Sequence, residues 1–165
     1  MQNSIVCAID GSQPSRSAAQ VAAQLSRTLN LKLILAYATE DRPTFPYGDR
    51  PLKELQRRRA IAEGRDLLET VAAELPVDAP DLRVVFGTPV EALSAVSSEE
   101  AAELLVVGSR GRGVLSAAML GSVSGALAAN APVPVLVVPP TASASALDDD
   151  GAHTAEADVL AAARG

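Results

Sequence analysis

The chain has 165 residues, 48% hydrophobic and 21% charged, enough apolar material to bury the core of one domain. With 2% aromatic residues and no Trp it nearly lacks the stacking platforms that bind single-stranded nucleic acids, which disfavours that function, and no apolar stretch reaches the roughly 18 to 20 residues of a membrane span. Of the formal charge of −6, residues 141–165 carry five acids against one Arg, so the remainder is nearly neutral.

The opening stretch "MQNSIVCAID" has no basic region or cleavage site of a secretory signal, and a cytoplasmic location is the expectation. Its run "SIVCAID" reads as a buried strand holding the lone Cys7, which reads as a small hydrophobe. Pro14 to Leu29 sets Ala18, Val21, Ala22 and Leu25 at helical spacing, and "LKLILAYAT" follows as a second strand. The stretch "EDRPTFPYGDRP" is rich in turn residues and reads as a surface connection or a lid. It leads into a second amphipathic helix over Leu52 to Leu75, on which Leu55, Arg58, Ala62 and Ile61, Leu68, Val71, Ala72 supply the stripe. After "PVDAPD" come the strand "LRVVFG", a helix opened by Pro89 and running to about Ala102, the strand "ELLVV", a glycine-rich segment, a helix near Ser122 to Asn130 and the strand "VPVLVVP". Five continuously apolar strands alternating with four helices predict an α/β fold with an open parallel sheet covered on both faces. Residues 1–140 form the expected domain; 141–165, rich in Ala, Ser and Asp, read as a flexible acidic tail.

The glycine-rich segment "GSRGRGVLSAAMLGSVSG" begins where a buried strand ends, the end at which open parallel sheets bind ligands. Gly108 and Gly111 permit tight turns and positive φ, and their lack of Cβ lets anionic oxygens approach the peptide amides. Gly121, Ser122 and Ser124 sit at a helix start, where unbonded N–H groups and the helix dipole favour an anion to which the two hydroxyls can also donate. Phosphate is the expected guest, although a ligand-free loop with Ser122 as a plain N-cap uses the same residues. Three glycines at fixed offsets are expected only about 0.05 times in a chain of this composition. The Walker pattern is absent, since the only lysines are Lys32 and Lys53, and the first strand–helix turn reads "DGSQPS" rather than GxGxxG.

Gly108-x2-Gly111-x9-Gly121-Ser122 resembles the G-2x-G-9x-G-(S/T) signature of the ATP-binding branch of the universal stress protein family. "VCAIDGSQPS", "GTPVEAL" and "NAPVPVLVVP" are similar to that family's opening turn, its G-x-P segment and its closing strand. The resemblance covers about residues 3 to 139. It implies a Rossmann-like sheet of order 3-2-1-4-5, with the end of strand 1 facing the glycine loop. It also implies that Asp10 contacts the ribose or adenine region, where its alternative is a turn or cap aspartate. Ala8, Ala38 and Val107 would form small apolar walls, each equally open to ordinary core packing. Arg110 and Arg112 would neutralise phosphate or point elsewhere, and Val123 stands between the two serines of the helix start. The implied ligand is ATP, or else ADP or AMP; Asp10, a single carboxylate, offers at most a weak Mg²⁺ site shared with the phosphates.

No catalytic base is evident, because the only histidine, His153, belongs to the tail, and slow ATP hydrolysis is the most that is expected. An ATP-binding regulatory protein is therefore the leading reading. Its rivals are a nucleotide-independent partner-binding protein and a slow hydrolase. The short apolar last strand, with an unpaired edge, points to a homodimer, and an unspecified regulatory protein is the expected further partner.

Overall fold

A computed structural model describes residues 3–40, 50–110 and 120–140. Among them, β1 (Ser4–Ala8), α1 (Gln13–Leu29), β2 (Lys32–Thr39), α2 (Arg50–Ala73), β3 (Asp81–Phe86), α3 (Pro89–Glu99), β4 (Ala102–Gly108), α4 (Ser122–Asn130) and β5 (Val135–Val138) follow in strict alternation. The strands form one sheet in the order β3-β2-β1-β4-β5, and every pairing is parallel. This is the doubly wound, Rossmann-like α/β fold. Its chain order reverses between β1 and β4, which lie side by side with Cys7 opposite Val106.

The period of two along each strand divides the core into two layers. On one face Ile5, Cys7, Leu33, Leu35 and Val106 pack with Ala18, Ala19, Ala22 and Ala23 of α1 and with Leu68 and Val71 of α2. On the other, Val6, Ile34, Ala36, Leu105 and Val107 pack with Leu93 and Val96 of α3 and Leu127 of α4. Four alanines on one stripe of α1 let that helix lie close to the sheet without aromatic bulk.

The helices begin and end for local reasons. Ser12 caps α1 by accepting from the Ser15 amide, Pro14 occupies its first turn, and Asn30 closes it in the left-handed region at φ 52. The third helix stops at Glu99, short of the expected Ala102, because Ala101 takes φ 49 and turns the chain directly into β4. The second helix departs further from expectation. Its core contacts are confined to its second half, where Leu68 and Val71 are buried, whereas Leu55, Arg58, Ile61 and Ala62 of the expected apolar stripe are exposed. Of the expected surface connection or lid from Glu40 to Arg50, residues 41–49 lie outside the described residues, as does the acidic tail over 141–165.

Candidate functional site

Two chain turns meet at the carboxyl ends of β1 and β4. The first is built on Asp10, whose Oδ1 accepts from the Ser12 amide at 2.9 Å and from the Ser12 hydroxyl at 2.6 Å. Gly11 between them takes φ 84, a conformation that costs a residue with a Cβ. The Ser12 Oγ in turn accepts from the Ser15 amide at 3.3 Å, and Ser15 donates its hydroxyl to the Ser12 carbonyl at 2.9 Å. Asp10 is thus the anchor of the turn that opens α1, the local role open to it from sequence.

The second turn carries the glycine signature. The Ser109 amide donates to the Val138 carbonyl at 2.7 Å, tying the end of β4 to β5. The Ser109 carbonyl accepts from the Gly121 amide at 2.8 Å and from the Ser124 hydroxyl at 3.0 Å. Ser124 also donates toward the Gly121 carbonyl at 3.1 Å. These bonds pin residue 109 against residue 121, so the segment between them leaves and returns at one point. The Gly121 amide and the Ser124 hydroxyl, expected from sequence to face an anion, serve this clasp.

What remains for an anion is backbone. Gly121 is the N-cap of α4, in extended conformation at φ −62 and ψ 157, and no side chain caps the helix. The first intrahelical bond runs from the Gly125 amide to the Gly121 carbonyl at 2.8 Å, so the amides of Ser122, Val123 and Ser124 are first-turn donors with no capping side chain. The Ser122 side chain is exposed beside them. The cap is therefore Gly121 rather than Ser122, because a glycine leaves the helix end open.

The glycines act by absence of bulk more than by unusual φ. Gly108 is not in the left-handed region; among the described glycines only Gly11 and Gly87 are. A Cβ at Gly108 would lie 2.7 Å from the Pro14 carbonyl carbon and 2.9 Å from Pro14 Cβ and O. Gly108 is what allows the end of β4 to abut the first turn of α1. A Cβ at Gly121 would lie 3.3 Å from both Arg110 Cα and Ser124 Oγ, so the clasp also depends on a bare backbone.

The apolar candidates share one face of the sheet. Ala8, Ala38 and Val123 are partly buried against the layer that contains Val107. Ala8 and Ala38 stand at the ends of their strands with surface to offer, while Val107 is 3% exposed and serves mainly as packing. Arg110 is half-buried at the loop's start; Gly111 and Arg112 lie outside the described residues, as does His153. Sequence reasoning missed Ser12, which holds the Asp10 carboxylate, and Ser109, whose Oγ is buried without a hydrogen-bond partner among the described residues. The "D-x-S" spacing was the available sign of the first; the second carried none.

Among the described residues the site contains no buried acid–base pair. The described residues hold no group of three His, Cys, Asp or Glu able to bind a metal, and Asp10 is a single carboxylate already accepting two bonds. Cys7 is fully buried, and desolvation raises its thiol pKa far above the ordinary range, which keeps it neutral and unreactive. A separate cavity of about 330 Å³ is lined by Ser26, Arg27, Asn30, Lys32 and Asp78, at the amino-terminal end of the sheet and away from both turns.

No helix among the described residues is long and apolar enough to cross a membrane. The family model for the universal stress protein family matches residues 1–139. A universal stress protein of Thermus aquaticus is 32% identical over 138 residues, covering 84% of this chain and 99% of that protein. One from Mycobacterium tuberculosis H37Rv is 33% identical over 144 residues, with 83% of this chain but 48% of the longer relative covered. The fold also superposes on a universal stress protein solved in complex with cAMP, at 29% identity and a TM-score of 0.62, covering 85% of this chain and 99% of that one. On this combined evidence the chain belongs to the universal stress protein family.

Proposed function

We propose that this protein binds an adenine nucleotide, ATP in the full form of the reading, and uses its occupancy to regulate a protein partner. The base and ribose lie against Ala8, Ala38 and the Asp10 turn, and the phosphates lie at the start of α4. One observation carries this reading: α4 begins with an uncapped glycine at the carboxyl end of β4, adjacent to the turn that ends β1, at the point where the sheet reverses its order. The relative solved with cAMP supports the ligand class.

Three first-turn amides make bonds to a charged oxygen worth roughly 1.5 to 3 kcal/mol each. They supply much of the ~8 kcal/mol of micromolar binding before association costs are deducted. They suffice for one phosphate group. Further phosphates need donors from Gly111 and Arg112, so ATP should bind more tightly than AMP only if those residues contribute. Contacts of that kind would link ligand occupancy to the loop surface and hence to a partner. Asp10 would at most share a Mg²⁺ ion with the phosphates, and slow hydrolysis is the most that a single carboxylate among the described residues would support.

Calorimetric titration with ATP, ADP, AMP and cAMP tests the proposal. The expected result is a dissociation constant on the order of micromolar for at least one of them, lost in Gly121→Arg while the thermal midpoint shows that variant folded. No binding of any of the four at millimolar concentration would overturn it.

A further inference from the structure

The first three turns of α2 lack the packing that holds the other helices. From Leu52 to Glu63 no residue is buried, Gln56 and Ala60 are half-buried, and the first buried position is Gly64. Three of the five large apolar side chains exposed among the described residues lie here, Leu52 at 41%, Leu55 at 47% and Ile61 at 40%. Arg57 reaches the Phe86 ring, 4.1 Å from its centroid, but a helical segment of this length that buries no side chain fully is marginal in water, so a covering partner is expected.

Charge identifies the partner. Between Arg50 and Arg59 stand Arg50, Lys53, Arg57, Arg58 and Arg59 against the single acid Glu54, a net charge of +4 in a chain of net −6. The complementary sign is carried by the chain's own last 25 residues, which hold Asp148, Asp149, Asp150, Glu156 and Asp158 against Arg164, with Val159 and Leu160 as apolar companions. We infer that this acidic C-terminal segment docks on the first three turns of α2, its carboxylates toward the basic residues and its apolar pair toward Leu52 and Leu55.

The topology permits the contact. Strand β5 and the start of α2 both lie at the carboxyl end of the sheet, because every strand is parallel and α2 follows β2. The eight residues from 141 to 148 span about 26 Å when extended, while three strand spacings separate β5 from β2, about 14 Å. Tethering raises the local concentration of the segment far above that of a free peptide. The inference does not depend on the nucleotide reading.

Full-length protein labelled with ¹⁵N and carrying a nitroxide on Ala155→Cys tests it; the buried Cys7 does not compete for the label. Amide signals of residues 52–63 should lose most of their intensity, and should regain it in about 1 M salt, where the screening length falls to about 3 Å. Lys53→Glu with Arg59→Glu, both at exposed positions, should abolish the effect at an unchanged thermal midpoint. Adding Asp149→Lys and Asp150→Lys should restore it. Absence of broadening in the wild-type chain would overturn the inference. So would broadening that requires mixing ¹⁵N-labelled chains with separately spin-labelled ones, since a second copy would then be the occupant.

Discussion

The methyl group of Gly108→Ala has nowhere to go, since the atoms it meets at 2.7 and 2.9 Å belong to the backbone and ring of Pro14 and not to the end of a flexible side chain. The substitution should cost about 1–3 kcal/mol, the usual range for overpacking, read as a lower midpoint in chemical denaturation. It should also weaken nucleotide binding, because the displaced first turn of α1 carries the Asp10 turn with it. Cys7 gives a second prediction at this scale. Its thiol is held neutral in the folded state by burial, whereas in the unfolded chain it ionises above its ordinary pKa of 9.0. The stability this group contributes is therefore complete below pH 9 and falls as pH rises further, by about 1.4 kcal/mol per unit. Cys7→Ala should flatten the alkaline limb of the stability profile, and native wild-type protein should resist thiol alkylation until it is unfolded.

Among the elements, strand ends far from the site are fixed by charge. Lys32 at the start of β2 donates to Asp81 of β3 at 2.8 Å, and Arg83 bridges Asp81 at 3.0 Å and Glu100 at 2.7 Å. Partial burial opposes ionisation of Asp81, but its bonds from Lys32 and Arg83 outweigh that and hold its carboxyl below its ordinary value of 3.8. The depressed pKa means that this stabilisation is present above pH 3.8 and disappears as pH falls below it. Asp81→Asn should be less stable than wild type near neutrality, with the two denaturation midpoints converging in acid. The elements themselves were largely legible: Ala18 and Ala22 at helical spacing, Pro14 and Pro89 at helix starts, and apolar strand runs are local signals that tertiary packing reinforces. The first half of α2 was misread because Leu55 and Ile61 fit a helical apolar pattern without facing a core. A periodicity shows that a face exists but says nothing of what covers it.

At the scale of the whole molecule, alternation in the sequence implied a parallel sheet, and family resemblance supplied its order 3-2-1-4-5, which the structure has. The glycine spacing located the loop correctly at the end of β4. That the protein itself uses the Gly121 amide and the Ser124 hydroxyl was not legible, because the Ser109 carbonyl that takes them has no side-chain signature. The same topology leaves β5 at one edge of the sheet, paired only to β4 among the described residues. Its Val135, Leu136 and Val137 are only partly buried, and Pro134, Pro139 and Pro140 bracket the strand without lying inside it. A proline within the strand or a charged residue on its faces would blunt such an edge; four consecutive aliphatic residues do neither. Two copies meeting along β5 would satisfy these backbone groups and bury the three aliphatic side chains, so a homodimer is the expected assembly. Sedimentation velocity should give twice the 16.9 kDa chain mass at micromolar concentration, with amide exchange at Val135–Val138 slowing as the dimer fills. A species of single-chain mass at all concentrations, with those amides exchanging freely on their outer side, would assign the edge to another partner.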